Sequence, residues 1–183
     1  MTWLIVLIVI VVVVGLVVLF LYNGLINKRN RVENAWSQID VQLKRRHDLI
    51  PNLVETVKGY AAHERGTLDA VVQARNAAIS ATGPVATAQA ENQITGALRQ
   101  LFALSEAYPD LKANQNFLSL QEELTGTEGR IAYARQYYND AVQKYNTKIQ
   151  SFPAVVLAGM LRFQEREYFE ADGESRGPTQ VSF

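Results

Sequence analysis

Apolar residues fill the start of the chain without interruption and then fall into a helical beat. Residues 2–22 read TWLIVLIVIVVVVGLVVLFLY. At ~1.5 Å rise per residue, a stretch of about twenty uncharged residues matches a hydrocarbon core ~30 Å thick. Gly15 is tolerated inside a membrane helix, and Trp3 and Tyr22 bracket the span as interfacial aromatics. A cleaved secretory signal is the competing reading. It lacks support because there is no basic leader, the apolar run exceeds ~15 residues and no small-x-small cleavage site follows. Past the span, Leu25, Val32, Trp36, Ile39, Leu43, Ile50, Val54, Val57 and Ala61 recur at steps of three, four or seven. At ~100° per residue they stay within roughly 40° of one line. No Gly-Pro or Ser-rich linker separates this seam from the span. The pattern predicts one long helix that leaves the bilayer as a stalk. Pro51 predicts a kink near His47 rather than a break, because the seam keeps its phase across it.

Shorter segments follow. Gly66 allows a turn, and residues 67–81 form an Ala-rich helix with Leu68, Val71, Val72, Ala78 and Ile79 inward. Thr82-Gly83-Pro84 breaks it. Residues 85–107 form a third helix with Ile94, Leu98, Leu101 and Phe102 as its core positions, ended by Tyr108-Pro109-Asp110. A second long seam runs through Phe117, Leu120, Leu124, Ile131, Ala134, Tyr138, Val142, Tyr145 and Ile149, ended by Phe152-Pro153. Gly126 and Gly129 weaken it, and Thr125-x-x-Glu128 offers a capping box, yet the phase holds. Strand signals are almost absent. The expected fold is all-α: a transmembrane helix continuing into an elongated antiparallel helical bundle with two long helices. The anchor covers residues 1–24 and the bundle 25–170. A polar, disordered tail covers 171–183. Residues 154–163, AVVLAGMLRF, are too few to span a bilayer. They form either a short helix capping the bundle or an exposed patch, with Leu157 and Met160, for a protein partner.

Charge and chemistry narrow the picture. Lys plus Arg and Asp plus Glu number 18 each, every one beyond residue 27. A neutral chain carries no electrostatic footprint for nucleic acid. Without cysteine there is no disulfide and no thiolate nucleophile. Lys28, Arg29 and Arg31 directly follow the span, which orients the N-terminus outside and the C-terminal part in the cytoplasm. His47 and Asp48 resemble a catalytic pair on paper, but neighbours on a helix point ~100° apart. His47 and His63, sixteen residues apart, make no metal site, and no cofactor fingerprint occurs. The triplet Lys44-Arg45-Arg46 would stand roughly 33 Å above the bilayer on an upright helix. That is well past a Debye length of ~8 Å, so a lipid contact there needs a strongly tilted or bent stalk. Lys44, Asp48, Asn52 and Glu55 share the face opposite the seam. With Arg46 they form a candidate assembly surface, weighed against a solvated face. Tyr138-Asn139 and Tyr145-Asn146, seven residues apart, share another face, where core packing is favoured over a recognition stripe.

Three stretches carry a family resemblance: YNGLINKRNRVENAWSQIDVQLKRRHDLIPNLVETVKGYAAHE, ARQYYNDAVQKYNTKIQSFP and EYFEA. Together with the N-terminal anchor they resemble the LemA family of bacterial membrane proteins. The resemblance implies an anchored antiparallel bundle in a bacterial inner membrane, with no catalytic residues. It extends to a LemA-like protein of magnetosome membranes, which implies a role in shaping or organising membranes. The expectation is a non-enzymatic, single-pass scaffold that needs no cofactor, contacts the lipid bilayer and forms a homo-oligomer. The alternative is a cytoplasmic-side adaptor for an envelope protease or signalling partner.

Overall fold

The computed structural model describes residues 1–170, and the tail expected to be disordered lies outside them. Six helices and no strand occur among the described residues: α1 Thr2–Lys58, α2 Arg65–Ser80, α3 Pro84–Ser105, α4 Pro109–Lys112, α5 Gln115–Gln150 and α6 Ala154–Met160. The fold is all-α. α1 is continuous through Pro51, as the unbroken seam predicts. Local chemistry sets the other boundaries. Gly83 takes a positive φ of 84° and Pro84 opens α3. Pro109 opens α4. The Asn114 side chain accepts the Phe117 amide at 3.0 Å and caps α5. Thr125 starts no new helix. Its hydroxyl bonds back to Gln121 O within α5.

The chain divides into two compact units, each drawing on parts of α1 and α5. The first comprises residues 1–38 and 136–167. Every residue from Met1 to Phe20 is exposed, and full burial begins at Leu25. An exposed apolar stretch of this length fits a membrane anchor and not the core helix of a soluble domain. Beyond it, Leu25, Val32 and Ala35 of α1 are buried, as are Tyr138, Val142, Tyr145 and Ile149 of α5. Trp36 meets Tyr138 edge to face at 5.4 Å.

The second unit comprises residues 39–135 and 168–170. Its core unites Ile50, Leu53 and Val57 of α1, Leu68 and Val71 of α2, Ile94, Leu98 and Leu101 of α3, Leu111 of α4, and Phe117 and Leu124 of α5. Val54, Val72 and Ile79 differ from the inward positions expected. Leu53 is fully buried while Val54 is only partly so, because the seam steps 39, 43, 46, 50, 53, 57 in fours and threes. In α2, Val72 and Ile79 face out while Ala74 and Ala78 face in, so α2 and α3 pack through small side chains.

Candidate functional site

In the second unit, the stretch KRRHDLIP builds a buried polar network around one carboxylate. Arg46 and Glu91 sit at apolar seam positions of α1 and α3, with side chains only 4% and 5% exposed. Glu91 Oε2 accepts from Arg46 Nη1 at 3.3 Å, and Oε1 lies 2.6 Å from His47 Nε2. Arg46 Nη2 donates to Thr95 Oγ1 at 2.8 Å and lies 3.7 Å from Glu128 Oε1. The cluster thus matches charge with charge in an interior where an isolated ion would be costly. A carboxylate with both oxygens engaged is a poor general base for any other proton. It serves here as the counter-charge that lets an arginine occupy a core slot.

Pro51 contributes to the same network. It has no N–H to offer the His47 carbonyl four residues back. Arg75 Nε supplies the missing donor, at 2.7 Å from His47 O. Arg75→Met is therefore expected to destabilise by about 1–3 kcal/mol, the cost of an unpaired buried carbonyl. In a Pro51→Ala background the restored amide takes the carbonyl back, and the penalty falls below about 1 kcal/mol. A denaturation double-mutant cycle checks this. Equal penalties in both backgrounds would contradict it.

In the first unit, Tyr138, Tyr145 and Asn146 of the Tyr-Asn motifs bind a length of non-helical chain. The Asn146 side chain clamps the backbone of residue 166: Nδ2 donates to Arg166 O and Oδ1 accepts from Arg166 N, each at 2.9 Å. Tyr145 Oη donates to Gln164 O at 3.0 Å and Tyr138 Oη to Glu167 O at 2.9 Å. Gln150 Nε2 donates to Glu165 Oε1 at 2.6 Å. Burial raises both tyrosine hydroxyls above their ordinary pKa, with Arg166 pulling the other way. They therefore stay protonated and remain donors.

The expected site residues divide accordingly. Lys44, Asp48, Asn52 and Glu55 lie exposed on α1. Arg46, grouped with them above, lies inside instead, because Glu91 draws it into the core. Tyr138, Tyr145 and Asn146 are buried and Asn139 is half-buried. Leu157 is half-buried and Met160 exposed. Trp3 and Tyr22 lie exposed along the apolar part of α1. Lys28 and Arg29 are half-buried. Arg31 is exposed, its guanidinium 5.8 Å from the Tyr137 ring. Among the described residues no cluster of three or more His, Asp or Glu is placed to hold a metal.

Sequence reasoning missed Glu91, Thr95, Arg75 and the bound segment. A signal for Glu91 was present: it is the only charge between Pro84 and Arg99, four residues after Thr87 and three before Ile94.

Fold and site together define an all-α protein in which, among the described residues, one helix is long and apolar enough to cross a membrane. Comparison with known proteins adds the family. The LemA family model matches residues 35–183. Protein LemA of Metamycoplasma hominis is 31% identical over 153 residues, covering 81% of this chain and 68% of that protein. Magnetosome protein MamQ 2 of Paramagnetospirillum magneticum is 26% identical over 175 residues. MamQ of Magnetospirillum gryphiswaldense is 25% identical over 174. The chain spans 64% of the length of each of these magnetosome proteins. This chain belongs to the LemA family.

Proposed function

We propose that this protein is a non-enzymatic, membrane-anchored helical scaffold that self-associates and so organises the membrane around it. The observation that carries this reading is the continuity of α1, which passes from the exposed apolar stretch to Lys58 without a break. No flexible linker uncouples anchor from bundle, so contacts between bundles act directly on the lipid that holds them. The buried Glu91 network supports the non-enzymatic part, since its ionisable groups are spent on one another. Lys28, Arg29 and Arg31 favour a cytoplasmic bundle in a bacterial inner membrane. Lys44, Asp48, Asn52 and Glu55 offer charges of both signs on one exposed face, suited to a second copy.

Cross-linking through Asn52→Cys in intact membranes is expected to give a defined higher species. Lys44→Glu with Glu55→Lys should weaken that species about fivefold, as loss of roughly 1 kcal/mol of ion pairing implies, with melting unchanged. Cross-linking that never rises above random collision would contradict the proposal.

A further inference from the structure

α6 is built inside out for a helix in water. Its small residues Ala154 and Ala158 are buried, while Val155, Val156 and Met160 face outward and Leu157 is half-buried. Phe152 is 85% exposed, Val156 58% and Met160 77%, with Val155 and Leu161 exposed beside them. A soluble domain would place these the other way round.

The position of this patch within the first unit identifies what covers it. α1 and α5 run antiparallel there: Trp36 meets Tyr138, and Tyr145 lies in the field of Arg29 and Glu33. From Tyr145 to Gln150, α5 advances about 8 Å at ~1.5 Å per residue. The same distance back along α1 from Arg29 reaches Gly24. Phe152 therefore comes level with Tyr22, at the last turn of the apolar stretch, where exposure along α1 gives way to burial at Leu25, and α6 runs back from there toward Arg29, whose guanidinium lies 5.9 Å from the Phe163 ring.

The end of α6 adds charge. Phe163 N donates to Ala158 O at 2.9 Å and Arg162 N to Gly159 O at 3.3 Å, the two bonds of a Schellman turn. Its left-handed position, normally glycine, is Arg162 with φ 55°. Arg162 lines a pocket with Arg29 and Arg166. Arg166 is paired with Glu33 at 3.4 Å, and Glu165 in the same pocket takes the Gln150 amide. Arg29 Nε is shut from solvent with no hydrogen bond, Glu33 Oε1 being 3.9 Å away. With Nε enclosed, it is the rest of the Arg29 side chain, 41% exposed, that stands beside Arg162 at this pocket.

We propose that α6 is a second membrane contact. Phe152, Val155, Val156 and Met160 dip into the leaflet that the anchor enters, and Arg29 and Arg162 hold the phosphate of an anionic lipid. This requires the anchor to cross the bilayer but not self-association. The chain has no cysteine, so single substitutions give unique labels. The full chain would carry an environment-sensitive fluorophore at Val156→Cys, in nanodiscs of phosphatidylglycerol and phosphatidylcholine doped with acyl-chain doxyl lipid. Val12→Cys serves as the anchor reference and Gln143→Cys, exposed on α5, as the control outside the lipid. The probes at positions 12 and 156 are expected to be quenched by doxyl lipid and the one at 143 not. Quenching at 12 without quenching at 156 overturns the inference, whether 156 then faces water or a protein. No quenching at 12 removes the anchor reading and this inference together. Arg162→Gly suits the left-handed turn, so the fold survives. It is expected to lower the selectivity for spin-labelled phosphatidylglycerol over phosphatidylcholine about fivefold. Unchanged selectivity, or its abolition by millimolar inorganic phosphate in the unaltered protein, overturns the lipid-phosphate assignment.

Discussion

Glu91→Ala is expected to destabilise the protein by about 3–5 kcal/mol, the penalty for stranding a buried charge. Arg46 would lose its closest carboxylate while remaining in the core, and His47 Nε2 would lose its 2.6 Å partner. Glu128 cannot substitute: it is half exposed and lies 3.7 Å from the guanidinium. Glu91→Gln keeps an acceptor and the volume but removes the charge, so a smaller loss of about 1.5–3 kcal/mol is expected. The informative comparison is the double replacement Arg46→Met with Glu91→Leu. If the network's role is mutual neutralisation, filling both slots with apolar side chains should return stability close to that of the unaltered protein. Denaturant unfolding of the detergent-solubilised chain, followed by circular dichroism, measures all three. A Glu91→Ala protein within about 1 kcal/mol of the original would contradict the account of the core.

Asn146→Ala carries the second large effect, about 1–3 kcal/mol from two hydrogen bonds whose backbone partners are left unpaired. Asn146 acts on the Arg166 peptide as a neighbouring strand would, offering one donor and one acceptor at 2.9 Å each. Asn146→Asp keeps the acceptor but sets a negative oxygen against the Arg166 carbonyl, and should be no better than alanine. Hydrogen exchange at residues 164–168 reads the effect locally. Fast exchange confined to that stretch is expected, with the core of the second unit unchanged. Exchange as slow as in the unaltered protein would show that other contacts hold the segment.

Much of the fold is legible in the spacing of apolar residues. The long seams of α1 and α5 keep their phase through Pro51 and through Gly126 and Gly129. The breaks fall where Gly83-Pro84 and Pro109 deny the helix its geometry. The seams hid what was not apolar. Position 46 lies between Leu43 and Ile50 at steps of three and four, yet arginine there reads as surface until a carboxylate appears in the facing seam. Glu91 sits in that seam, but pairing the two residues requires knowing that α3 packs against α1, and periodicity within one helix does not say so. The bound segment was invisible for a different reason. A non-helical stretch held by side chains leaves neither alternation nor a turn signal. Its only trace was the repeat of Tyr-Asn at an interval of seven, whose rings fitted a core as well as a clamp. The large apolar residues of α6 were equally ambiguous, because sequence alone does not tell which of its faces the alanines turn inward.

The scaffold reading rests on bundles meeting one another in the membrane. The most direct test counts copies of the fluorescently tagged full chain in single assemblies of native membrane, by stepwise photobleaching at low expression. The account predicts a reproducible number greater than one, reduced toward one by the paired charge reversal at Lys44 and Glu55. A single bleaching step in nearly every spot would contradict it.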